Sequence, residues 1–106
     1  MGSKKYRLSY LPLFDQDLVQ IASHIATVLD NPDAALRLID DVEEAIKKRL
    51  GNAESFEPYR SVKERPHPYY RIYVRNYTVY YVVIGNIMEV RRLLYSGQEQ
   101  DENLPE

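Results

Sequence analysis

The sequence has no cysteine, no tryptophan and only four glycines among 106 residues, with a formal net charge of −2. Without thiols, disulfide frameworks, thiolate metal sites and cysteine-dependent hydrolysis are excluded, which fits a reducing interior. A bilayer-spanning helix needs about 20 consecutive apolar residues, and no such run is present. Lys4 to Leu13 is too short an apolar stretch for a signal peptide, so a cytoplasmic location is expected. The phosphate-binding loop, the dinucleotide fingerprint, the nucleophile elbow and metal-ligand spacings are all missing, so no metal and no cofactor are expected. The near-zero net charge identifies no partner. The length suits one domain over residues 1–106, with Met1-Gly2-Ser3 read as a vector remnant and 97–106 as a polar acidic tail.

What the chain has instead is tyrosine, ten in all, and most of it lies in one stretch from Tyr59 to Tyr95. Tyr70 to Arg75, Tyr77 to Ile84 and Ile87 to Tyr95 are rich in aromatic and β-branched residues and read as three strands. Arg75-Asn76 and Gly85-Asn86 are short links, and glycine and asparagine tolerate the positive φ of a tight hairpin turn. Short links make the three strands an antiparallel meander. Strict alternation puts Tyr70, Ile72 and Val74 on one face and Arg71, Tyr73 and Arg75 on the other. The same alternation groups Met88, Val90 and Leu94, interrupted by Arg92, against Glu89, Arg91, Leu93 and Tyr95. The odd-numbered side chains from Arg71 to Tyr95 are therefore expected to line one water-accessible hollow. The middle strand is apolar on both sides and reads as covered on both.

Charge is unevenly distributed. Between Ser55 and Tyr95 seven basic residues (Arg60, Lys63, Arg65, Arg71, Arg75, Arg91, Arg92) face three acids (Glu57, Glu64, Glu89). Arginines interleaved with tyrosines are the ingredients of a polyanion-binding surface, because guanidinium contacts phosphate and rings stack on bases. The plainer alternative is solvated strand arginines beside packed tyrosines.

Upstream, Tyr6 to Leu11 alternates as a short strand ended by Pro12, which also suits a first helical turn. Phe14, Leu18, Ile21, Ile25 and Val28 then form one helical stripe. Asn31 and Pro32 begin a second helix as N-cap and first-turn residue. Its stripe is Ala35, Leu38, Ile39, Val42, Ile46 and Leu50, and Gly51 caps its end. The Asp40-Asp41-Glu43-Glu44 cluster reads as a solvated helix face rather than a metal site. His24 has no second acid or nucleophile spaced to meet it, and His67, directly before the basic sheet, is the better candidate of the two.

The order of strand, helical hairpin, proline-containing loop and meander resembles the RelE/ParE superfamily of type II toxin–antitoxin toxins, the plasmid stabilisation proteins. The specific parts are YRIYVRNYTVYYVV, Tyr70 to Val83, and EVRRLLYS, Glu89 to Ser96. The resemblance implies an α+β fold: an N-terminal strand, an antiparallel helical hairpin, then a three-stranded antiparallel meander, with the helices on one face of a four-stranded sheet. It implies a cognate antitoxin as partner, and either ribosome-dependent, metal-independent mRNA endoribonuclease activity or inhibition of DNA gyrase. It also allows a homodimer or a toxin–antitoxin hetero-oligomer, and involves no membrane. For the nuclease branch it implies Arg71 as phosphate clamp, Tyr73 or Tyr95 in proton transfer, and Arg75, Arg91, Lys63 and Arg65 as nucleic-acid contacts. Two departures weaken that branch. Thr78 stands where the family commonly has arginine, and Gly97-Gln98-Glu99 stands where it often has a basic pair. Each lost cation removes a phosphate contact typically of about 1.5–3 kcal/mol. The alternative is a non-catalytic binding module that keeps the fold and has lost the nuclease residues.

Overall fold

Pro12 cannot continue a strand, and its fixed φ starts a helix, so the chain turns from β1 (Arg7–Tyr10) directly into α1 (Pro12–Thr27). The computed structural model describes residues 5–60, 63–97 and 101–105. After α1 the chain reverses at Asp30, whose φ of 50° is left-handed, and restarts at Asn31. The Asn31 side chain accepts from the Ala34 N–H at 3.1 Å, capping α2 (Pro32–Leu50) as expected. Gly51 is the C-cap, although with a right-handed φ of −70°. The two helices pack side by side, and β2 (Tyr70–Val74), β3 (Tyr77–Ile84) and β4 (Ile87–Tyr95) follow as the meander. Gly85 has φ +62° at the β3–β4 turn, whereas at the β2–β3 turn the positive φ falls on Arg75, at 55°. The tail adds a 3₁₀ turn at Asp101–Asn103. Met1-Gly2-Ser3 and Gln98-Glu99 lie outside the described residues.

The sheet order is β1-β4-β3-β2, so the first strand is an edge strand, and it pairs with β4 in parallel. The other pairs are antiparallel. The helices cover one face. There Phe14, Leu38, Val42 and Ile46 meet Tyr70, Ile72, Val74, Val79, Tyr81, Met88, Val90 and Leu93. Val28 does not belong to this core: α1 ends at Thr27 and Val28 is exposed. Tyr81 is fully buried, donates to the Ala53 carbonyl at 2.6 Å and accepts from Arg49 at 2.9 Å, so the phenol buried under the helices is satisfied. A second, smaller cluster of Tyr69, Tyr80, Val82, Leu94 and Leu104 covers the opposite face, with Tyr59 and Ile84 at its margin. The middle strand is thus buried on both sides, as its composition suggests.

The β3–β4 register breaks once. Tyr81 pairs with Val90 and Tyr80 with Arg92, so Arg91 is an extra residue without a cross-strand partner. A bulge advances the alternation by one residue. Before it, Val90 faces the helices; after it, Leu93 and Tyr95 do, aligned with Val79 and Tyr77. The expectation that Leu93 and Tyr95 share a face with Glu89 and Arg91 is therefore corrected, because a period of two does not survive an inserted residue.

Past the end of β1 the edge of β4 is closed by a side chain. The Asp17 carboxylate, on α1, accepts from the Leu93 N–H at 3.0 Å and takes both Nε and Nη2 of Arg92 at 2.8 Å. Both groups are largely buried. The Arg92 guanidinium titrates above its usual range, because the Asp17 hydrogen bond outweighs the opposing effect of burial. Among the described residues no helix is long and apolar enough to cross a membrane.

Asp17→Ala is expected to lose about 3–5 kcal/mol in urea unfolding, because it strands a buried cation and an unpaired strand N–H. An unchanged unfolding midpoint would refute this role. A second expectation concerns alkali. The Tyr6 hydroxyl donates to Glu54 at 2.7 Å, and that bond to a carboxylate pushes its pKa up to about 12. Burial also raises Tyr10, Tyr70 and Tyr81. A raised phenol favours the neutral form in the folded state. The stabilisation is therefore complete below the ordinary tyrosine pKa of about 10 and lost as pH climbs through about 12. Stability measured between those limits should fall, and fall less steeply in Tyr6→Phe.

Candidate functional site

The register and the bulge decide which of the sequence-selected residues meet. Arg71 pairs with Tyr80 and Tyr73 with Thr78, so both point to the face away from the helices. There the Arg71 guanidinium lies over two rings, 4.8 Å from the Tyr59 centroid and 5.7 Å from that of Tyr73. Tyr73 is 65 % exposed. Tyr95 pairs with Tyr77 on the opposite face, the two rings edge-to-face at 6.1 Å. It is 52 % exposed and borders a cleft of ≈ 190 Å³ shared with Asp17, Gln20, Tyr77, Arg92 and Asn103. The sheet itself therefore separates Tyr95 from Arg71 and Tyr73.

The remaining basic candidates are engaged within the molecule. Arg75 leaves the sheet at its left-handed turn and reaches α2, where its Nε meets Asp41 at 2.9 Å in a half-exposed pair. The bulged Arg91 is buried. Its Nε donates to Glu89 at 2.7 Å and its Nη1 to the Tyr69 hydroxyl at 3.2 Å. Burial works to lower its pKa, but the bonds to Tyr69 and Glu89 overcome that and raise it. Arg65 donates through Nη1 to the carbonyls of Leu104, at 3.2 Å, and Pro105, at 3.1 Å, and stacks over Tyr69. Lys63 is exposed and lines a shallow recess with Tyr59, Arg65, Pro68 and Tyr69. Thr78, where the resemblance leads one to look for arginine, is buried and shares a hydrogen bond with Ser96 at 2.8 Å. A guanidinium there would have to displace Leu94 or the tail, both packed on that face.

Three residues that shape this face were not singled out from the sequence: Asp17, Arg92 and Leu104. Asp17 was legible only as one more polar residue of α1. Arg92 did show, as a cation interrupting an apolar alternation, which is the trace a bulge leaves. Leu104 was legible as a lone apolar residue in an acidic tail. Among the described residues no three histidine or carboxylate side chains converge to hold a metal ion. The half-buried Arg71 and the exposed Tyr73, stacked on each other, can bind a flat or anionic group, while Tyr95, the other tyrosine implied in proton transfer, is on the other face.

Comparison with known proteins agrees with this architecture. The sequence profile described as "ParE toxin of type II toxin-antitoxin system, parDE" matches residues 8–100. A solved structure described as "Chromosomal ParDE TA system from P. aeruginosa" superposes with a TM-score of 0.71 at 21% identity, covering 88% of this chain and 98% of that one. A search of curated protein sequences finds no match.

The different settings of the arginines give a direct expectation. Arg71→Ala touches no described ion pair and should change stability by less than about 0.5 kcal/mol in thermal unfolding. Arg91→Ala leaves the Glu89 carboxylate without its cation and should cost about 1.5–3 kcal/mol. Equal losses for the two variants would contradict the assignment.

Proposed function

As the chain belongs to the ParE toxin family of type II toxin–antitoxin systems, and so has a cognate antitoxin, we propose that it acts by binding and inhibiting DNA gyrase rather than by cutting RNA. Cleavage through a 2′-hydroxyl needs a base, a cation for the developing phosphorane charge and an acid, all on one side of the scissile phosphate. The observation that carries the proposal is the bulge at Arg91. It buries that cation against Glu89 and turns Tyr95 away from Arg71 and Tyr73.

Inhibition by binding has no such requirement. It needs an accessible surface with a few anchoring side chains, and arginine and tyrosine are enriched among such anchors. Arg71 and Tyr73 then serve as contact residues, with Lys63 beside them. The ParE profile match over residues 8–100 gives the toxin family within which this reading is made.

Purified protein should inhibit supercoiling of relaxed plasmid by DNA gyrase and leave translated mRNA uncut in primer extension. Tyr73→Ala combined with Arg71→Ala should weaken inhibition by about tenfold, ~1.4 kcal/mol of binding, without unfolding the chain. Ribosome-dependent cleavage with supercoiling unaffected would overturn the proposal.

A further inference from the structure

On the helix side, where β2 turns into β3 and β4 runs out, the fold carries two recesses that the contact through Arg71 and Tyr73 leaves unused. One, of ≈ 190 Å³, lies between α1 and the end of β4, with Ile21 on one wall and Tyr77 and Tyr95 on the other. The second, of ≈ 260 Å³, lies between Ile25 and Leu29 and the β2–β3 turn. Tyr77 lines both, so they form one groove beside α1. Ile21 and Ile25, four residues apart, lie on one side of the helix, and Leu29 continues the row past its end. From Asp17 to Ile25 the groove follows roughly 12 Å of helix axis. Its lining is partly open to water: Leu29 is 59 % exposed, and Ile21, Ile25 and Tyr77 are half-buried. The half-exposed Tyr95 ring is held in place. It packs edge-to-face on Tyr77, and the following main chain runs so close that a Cβ at Gly97 would come within 2.8 Å of the ring. A partner then need not order that ring on binding.

The charge around the groove has one sign. The two cations that line it are neutralised within the molecule, Arg92 by Asp17 and Arg75 by Asp41. α1 contains no lysine or arginine. The carboxylates of Asp15 on α1, of Asp30 and Asp33 at the hairpin turn, and of Glu102 next to the lining residue Asn103 are exposed. Among the described residues none of the four has an ion-pair partner. Two copies of this surface would set acids against acids, so a second copy of the chain fits it poorly. A basic segment complements it.

We propose that this groove takes a basic amphipathic helix of a partner protein, with apolar residues seated against Ile25, Leu29, Tyr77 and Tyr95 and lysines or arginines at the acidic rim. Two recesses in line beside α1, each the size of one or two side chains, suit anchors one or two turns apart on a docking helix. The identity of the partner rests on the function proposed above: it is the inhibited gyrase. The toxin then grips its target at the end of the sheet as well as through Arg71 and Tyr73, and Tyr95 becomes a contact residue.

Two measurements on the full-length chain separate the groove from its target. The first is an NMR titration with a synthetic helix of about 14 residues, built of leucine and lysine with leucines at spacings of three and four, and with its counterpart carrying glutamate for lysine. The lysine peptide should shift the Leu29, Tyr77 and Tyr95 resonances, and the glutamate peptide should not. Leu29→Lys, a change at an exposed position outside the helices, should weaken the lysine peptide about tenfold. Equal shifts by the two peptides, or none by the lysine peptide, would overturn the groove. The second is supercoiling by gyrase. Leu29→Lys should raise the concentration for half-inhibition about tenfold, and Gly97→Ala, which moves the Tyr95 ring, about threefold, both with unchanged thermal unfolding. Wild-type potency in Leu29→Lys would overturn the groove as the gyrase contact. If the wild type itself leaves gyrase uninhibited, the function proposed above fails, and the peptide titration still decides the groove. Sedimentation of the chain as a dimer that Leu29→Lys dissociates would overturn the proposal in favour of a second copy.

Discussion

Asp17 and Arg92, two charges largely withdrawn from water, hold together three parts of the chain that share no strand. Taking them out of water is costly, of order several kcal/mol per ion even after relaxation. The pair persists because the carboxylate receives both guanidinium bonds and the Leu93 N–H, while the guanidinium also reaches the Asn103 carbonyl. β1 pairs with β4 only through Val90, and beyond that point β4 would present an open edge. Asp17 supplies the acceptor that a longer β1 would have supplied. It also sets α1 against β4, and through Arg92 it ties that junction to the tail.

The bulge is the other constraint, and it belongs to the same place. Arg91 is inserted immediately before Arg92, so one local irregularity sends the first arginine to Glu89 and Tyr69 and leaves the second to Asp17. Bulges concentrate where a sheet must re-aim a side chain. Here the re-aiming brings Leu93 into the helix-side core and carries Tyr95 with it. The position of Tyr95 thus follows from the packing of Leu93.

Most of the architecture was legible in the sequence because it rests on periodicity. The helical stripes from Phe14 to Ile25 and from Ala35 to Ile46, the Asn31 cap, the Gly85 turn and the three strands all follow local rules that the structure repeats. The site was less legible because its arrangement depends on long-range pairing. That Asp41 lies opposite Arg75, or Asp17 opposite Arg92, cannot be read from spacings of 34 and 75 residues. The bulge had a visible trace, since the apolar series Met88, Val90, Leu93 steps by two and then by three. Strict alternation hid it. The tail was read as polar, and its single leucine proves to be the anchor.

These pairings change what the cation excess of the sheet means. Counted along the chain, the meander and the loop before it are basic. In space, Arg75 meets Asp41, Arg91 meets Glu89, Arg92 meets Asp17, and Arg65 is turned to main-chain carbonyls. A polyanion gains from cations whose charge is uncompensated, because the gain comes from counterions released from its own atmosphere. A guanidinium already bound to a carboxylate releases little and must break its pair to take a phosphate. What the sheet does offer, on the face away from the helices, is the stacked Arg71 and Tyr73 beside rings and aliphatic side chains covered by the tail. Such a surface distinguishes partners by shape and by a few anchors rather than by total charge. On the function proposed above, the basic-aromatic composition that suggested a nucleic-acid surface serves as a surface for another protein.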